Sequence, residues 1–159
     1  MSGPRNYQII QPPRSLRDRT GPPVTGLNPM ANAEAALQKI QAESDFPAMV
    51  VTEMAKLAAA VEGLAADAAD RDKRLHDVFE LVHDLRGQGT SFGYPLVTRI
   101  GASLCSYLDG HERHSAAEVD IVRAHVDALR AVIANRLKGD GGPIGQKVAA
   151  ELEALTTGG

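Results

Sequence analysis

Cysteine occurs once in this 159-residue chain, at Cys105, and tryptophan not at all. A single thiol rules out an internal disulfide framework and any zinc site built on several cysteines, and it fits a reducing compartment. Aromatic residues make up 4% of the sequence. Strands draw on β-branched and aromatic residues, so this scarcity, set against abundant alanine and leucine, favours helix over sheet. No apolar run approaches the roughly 18 residues that a membrane-spanning helix needs. The N-terminus carries prolines and arginines where a secretory signal would have an apolar core. No export signal is therefore read, and the cytoplasm is the expected location.

Charge of one sign is also not in excess along the whole chain, which sums to −3, but it is unevenly placed. Residues 1–32 hold Arg5, Arg14, Arg17 and Arg19 against Asp18 alone, a charge of +3, which leaves −6 on the remainder. An acidic folded part argues against a nucleic-acid-binding domain. The basic tail is read as solvated rather than as a partner-binding arm. Its paired prolines block helix growth, so residues 1–30 are expected to be a disordered, Pro-rich, basic tail.

From Ala31 onward the pattern is helical. A short first helix is expected over 31–44. "SDFP" then offers Ser44 or Asp45 as a cap with Pro47 in the first turn, opening a second helix over about 45–66. Its stripe is Val50, Met54, Leu57, Val61 and Leu64. A third helix, capped by Asp70 or Asp72, includes Leu75, Val78, Phe79, Val82, Leu85 and Phe92. Pro95 starts a fourth, with Leu96, Val97, Ile100, Leu104, Tyr107 and Leu108 inward. Ser115 and Glu118 have capping-box spacing. They open a fifth helix over about 116–137, carrying Val119, Val122, Val126, Leu129, Val132 and Ile133. "KGDGGP" stops it, and a last amphipathic helix follows. The expectation is an all-α protein: an antiparallel up-and-down four-helix bundle over 31–138 with extra short terminal helices, and a Gly-rich linker and C-terminal helix over 139–159. The last helix has two possible places, against the bundle or on a neighbour.

The third helix holds an anomaly. "HDLRGQGTSFG" brings Gly87, Gly89 and Gly93 into a run whose apolar pattern continues, although an interior glycine costs about 1 kcal/mol relative to alanine. On a helical wheel Leu75, Val78, Phe79, Val82, Leu85 and Gly89 share the inward side. His83 lies off it, on a strip with His76, Glu80, Gly87 and Thr90. Gly87, one turn past His83, leaves the ground beside the imidazole bare, and Arg86, three past it, can swing a guanidinium beside the ring. Neutral imidazole is a nucleophile near pH 7, and arginine matches the oxygens of a phosphoryl group. Gly89 points inward and is read as a close-packing residue, and Gly93 as a helix stop.

This run resembles the signature of histidine-containing phosphotransfer (HPt) domains. His83, Leu85, Gly87, Gly89, Phe92 and Gly93 fall on its positions, and Arg86 stands where that family usually has lysine. The resemblance implies a phosphoryl carrier rather than a kinase. It would relay phosphate between response-regulator aspartates, or from a hybrid kinase receiver, through the Nε2 nitrogen of His83. It implies no cofactor on this chain, magnesium being held by the receiver. It implies a receiver domain and a sensor or hybrid histidine kinase as partners, and a monomer. His76, Glu80, Asp84, Gln88 and Thr90 become the candidate partner contacts. The alternative is a non-catalytic HPt-like module that binds a receiver or kinase without carrying phosphate.

Other residues read as structural. His76, Glu80 and His83, or His111, Glu112 and His114, lack the closed ligand set of a zinc site, so no metal is expected. His125 is read as a surface or boundary residue and Cys105 as a small buried hydrophobe. Arg99 is read as an ion-pair partner, and Met49, Met54 and Phe79 as core.

Overall fold

Stripes of apolar residues at steps of three and four can be buried only against one another, and that requirement organises the chain. A computed structural model describes residues 29–65, 69–110 and 115–158. The expected disordered tail lies, through residue 28, outside the described residues, as do residues 111–114 with His111 and His114. The chain divides into two units, Met1–Ala35 and Ala36–Gly159. Of the first, residues 29–35 are the opening turns of α1, Pro29–Glu43, and the second unit begins with that helix's later turns. The apolar side chains Leu37 and Ile40 of those later turns are exposed.

The second unit continues with a one-turn α2, Phe46–Met49, then α3, Val51–Leu64, α4, Arg71–Gly89, α5, Pro95–Asp109, α6, Ala116–Ala134, and α7, Gly142–Thr157. Every regular element among the described residues is helical. Helix α3 packs on α4, α4 on α5, α5 on α6 and α6 back on α3, which closes a four-helix bundle. The short connections make successive helices antiparallel. The buried positions are the sequence stripes: Leu57, Val61 and Leu64 on α3, Leu75, Val78, Val82 and Leu85 on α4, and all six inward residues expected on each of α5 and α6. Helix α7 packs on α5 and α6 and buries Ala149 and Leu152, so it lies against the bundle.

Helix ends depart from the local reading. The expected second helix is broken at Val50. Asp45 stands at the N-cap position of α2 with Pro47 in the first turn, yet its carboxylate makes no capping bond. It accepts two hydrogen bonds from Arg136, at 2.8 and 3.0 Å, instead. That guanidinium holds the Asp45 carboxyl below the ordinary carboxylate range. Arg136 itself sits at φ 52°, just past the end of α6, which stops at Ala134 rather than near Leu137. Asp70 precedes α4 without a side-chain cap. Ser115 and Glu118 do form the expected capping box. Met49, expected in the core, is exposed.

Three helices meet over one buried polar residue. His125 is fully buried, not at the surface or boundary as its type suggested. Its position between Val122 and Leu129, three and four residues away, is a stripe position, and polar partners make burial tolerable there. Nδ1 donates to the Ile121 carbonyl at 2.8 Å, and Nε2 lies 3.1 Å from the Ser103 hydroxyl of α5. Ser103 in turn lies 3.3 Å from Thr156 of α7, whose hydroxyl donates to the Glu153 carbonyl. Burial pushes the His125 pKa down, and the bond to Ile121 opposes this in part. Nearby, Glu153 accepts two hydrogen bonds from Arg99, at 2.7 and 2.8 Å, the ion pair expected of that arginine. Cys105 is buried, as expected.

Candidate functional site

The site begins with how helix α4 ends. Its apolar pattern runs on past Gly89 because one turn of 3-10 helix, Thr90–Phe92, continues the chain along the core. Phe92 stacks on Phe46, centroids 5.2 Å apart, and Phe46 meets Tyr94 at 5.1 Å. Gly93, at φ 83°, then reverses the chain into Pro95 at the start of α5, a left-handed conformation that favours glycine.

Gly89 and Gly87 have different reasons. A Cβ on Gly89 would stand 2.8 Å from Thr98 Oγ1 and 2.9 Å from the Tyr94 carbonyl oxygen. Its bareness lets Thr98 bind the end of α4: the Thr98 hydroxyl donates to the Arg86 carbonyl at 3.0 Å and accepts from the Thr90 amide and the Thr90 hydroxyl, each at 2.9 Å. A Cβ on Gly87 would meet nothing within 4 Å.

His83 lies mid-helix on the outer strip of α4, its side chain 56% exposed. Helical side chains lean toward the N-terminal turn, so the imidazole rests over the turn that holds Phe79. The two rings are stacked, 6.0 Å between centroids and 27° between planes. Phe79, read from sequence as plain core, is half-buried: it packs against the core and against the imidazole. By the same lean, a side chain at position 87 would fall back over His83, so bare Gly87 leaves that approach open. Asp84 Oδ1 stands 3.9 Å from His83 Nδ1, beyond hydrogen-bond distance. Phe79, Glu80, His83 and Asp84 line one shallow depression. Glu80 and Asp84 also line a groove between α3 and α4, together with Lys56, Ala59, Ala60 and Arg74.

The remaining candidate residues spread around this centre. His76 Nε2 pairs with Glu80 Oε1 at 3.4 Å, both side chains about two-thirds exposed at 68% and 69%. Gln88 is half-buried. Thr90 is exposed, but its hydroxyl is already given to Thr98. Arg86 lies where α4 meets α5: a Cβ on Gly101 would come 3.1 Å from the Arg86 Cβ. Its charge reaches Cys105, whose thiol burial pushes up and Arg86 pulls back in part. No hydrogen bond joins Arg86 to His83 among the described residues, and the guanidinium has no carboxylate partner there. Sequence reasoning missed Thr98, which no motif marks, and the ring contact of Phe79. The lean of helical side chains from position 83 onto 79 was the signal for the latter. No group of three or more His, Cys, Asp or Glu among the described residues is placed to hold a metal ion. No helix among them is long and apolar enough to cross a membrane.

The described residues thus form a helical bundle with the exposed His83 beside a bare helical turn. The Hpt domain family model matches residues 31–132, and the chain belongs to that family. Its members take part in phosphotransfer-related two-component signalling and interact with receiver domains and kinases. No curated protein and no solved structure matches the chain. Helix α7 lies beyond the matched residues.

Proposed function

We propose that the protein is a phosphorelay carrier that acts in the cytoplasm, with His83 as the phosphoacceptor. The observation that carries this reading is the open flank of an exposed imidazole. His83 is solvent-accessible, and a Cβ at position 87 would meet nothing within 4 Å. In the step, the Nε2 lone pair attacks the phosphorus of a receiver's aspartyl phosphate. The N–P bond forms as the P–O bond to the aspartate breaks, and the electron pair leaves with the carboxylate. No proton has to move: the ring keeps its Nδ1–H and becomes a phosphoimidazolium, with the Asp84 carboxylate 3.9 Å from that nitrogen to offset the new positive charge. The reverse step delivers the phosphoryl group to a second receiver.

Arg86, with no carboxylate partner of its own, supplies a cation for the phosphoryl oxygens once its head swings toward the ring. The magnesium that neutralises phosphoryl charge belongs to the receiver. His76, Glu80, Asp84, Gln88 and Thr90 surround the acceptor as partner contacts, and receivers and a sensor or hybrid kinase are the partners. The test is incubation with a phosphorylated receiver followed by a search for acid-labile, base-stable phosphate. Label on the wild type and none on His83→Gln is the expected result. Label that persists in His83→Gln moves the acceptor elsewhere, and no label from any receiver of the same cell favours a binding module that carries no phosphate.

A further inference from the structure

We propose that Phe79 is the positioning residue of the phosphoacceptor: it fixes the imidazole plane so that Nε2 meets the incoming phosphorus. This inference rests on His83 being the acceptor. The observation behind it is that, among the described residues, no hydrogen bond holds the ring. Neither imidazole nitrogen makes a hydrogen bond among the described residues, and the nearest carboxylate oxygen is 3.9 Å away. Among the described residues the imidazole's ring contact is the stack on Phe79, 6.0 Å and 27°. Phe79 in turn does not float, because it is half-buried and packed against the hydrophobic core. Core order is thereby passed through one phenyl ring to an otherwise untethered side chain. One flat face of the imidazole stacks on Phe79 and its Nδ1 is the nitrogen nearest Asp84, while a Cβ at position 87, one turn on, would meet nothing within 4 Å.

An exposed histidine in a helix has two accessible χ1 wells and a broad, roughly two-fold χ2, so about four ring orientations compete. If one of them is competent, release of the ring lowers the rate of the bound complex by about fourfold, and a strict alignment requirement raises that toward tenfold. Encounter with the small donor is not affected, because it needs no protein surface.

The experiment uses the full chain and two phosphodonors, a phosphorylated receiver and phosphoramidate. The small donor transfers its phosphoryl group to the imidazole with departure of ammonia and needs no protein surface. Phe79→Leu and Phe79→Ala are expected to lower kcat about 3- to 10-fold with both donors, with KM unchanged, and Phe79→Tyr is expected to restore it. In NMR spectra the His83 ring protons of the wild type carry an upfield ring-current shift that Phe79→Leu abolishes and Phe79→Tyr keeps. The shift reports the contact between the two rings, and the kcat-to-KM split with both donors is the readout that a merely structural role does not move. Wild-type kcat in Phe79→Leu, while His83→Gln is unlabelled, overturns the positioning role and leaves the acceptor intact. Absence of the ring-current shift in the unaltered protein overturns it without any variant. Label on His83→Gln overturns the acceptor reading, and the positioning role with it.

Discussion

Replacement of Gly87 by leucine is expected to make the protein more stable and less active at once. Position 87 lies inside α4 with no positive φ, and a Cβ there meets nothing within 4 Å. The substitution therefore removes the glycine penalty without a clash. Leucine is better than glycine in a helix interior by about 0.8 kcal/mol. For a helical unit of this size that corresponds to a rise in Tm of about 2–4 °C. The same side chain leans back over His83 and would fill the approach that the proposed transfer from a receiver requires. A displacement of about 1 Å in a phosphoryl transfer can cost 100-fold. Transfer slowed at least about tenfold, or about 1.4 kcal/mol on the barrier, is a conservative expectation. Gly87→Ala serves as the control, with the stability gain and a much smaller loss of rate. Thermal melts by circular dichroism and stopped-time phosphotransfer from a labelled receiver give the two numbers. Transfer by Gly87→Leu at the wild-type rate would show that the bare turn is not an approach path. A fall in Tm would show that the position is not open in the folded protein.

Two further perturbations probe the scaffold. Gly89→Ala, only two residues from Gly87, is expected to lower Tm, because its Cβ would stand 2.8 Å from Thr98 Oγ1 and 2.9 Å from a backbone carbonyl. Overpacking of this kind costs about 1–3 kcal/mol, and an unchanged melt would refute the close-packing role. The second concerns pH. Burial holds the folded-state pKa of His125 below its unfolded value, so the unfolded chain binds the extra proton first. The stability that neutral His125 contributes is complete above the unfolded pKa, near 6.5, and is lost as pH falls below it toward the folded pKa. A Tm that declines from pH 7 to pH 5 is expected in the wild type. A flatter profile is expected in His125→Gln, and identical profiles would exclude the buried imidazole as the cause.

What could be read from the sequence was whatever a single helix decides for itself. The stripes of α5 and α6 were legible because each inward residue repeats at three or four, and the opposite orientations of Gly87 and Gly89 followed from two steps of 100°. What escaped needed a distant partner. Asp45 looks like a cap from its neighbours alone. Its actual partner, Arg136, is 91 residues away and forms the stronger charge-assisted contact. His125 occupies a stripe position, but its residue type suggested solvent. Ser103 on another helix supplies the second polar contact that makes burial acceptable. Phe79 reads as core because its wheel position is inward. Its ring bridges the core and the His83 imidazole, a placement that wheel angles do not distinguish.

The triple role of the Thr98 hydroxyl has a consequence for molecular choice. By clamping the last turn of α4 to the first turn of α5, it holds the surface beside the bare turn in shape before any visitor arrives. A ready-made surface surrenders little freedom on contact. Right and wrong visitors would then arrive at similar speeds and differ in how long they linger.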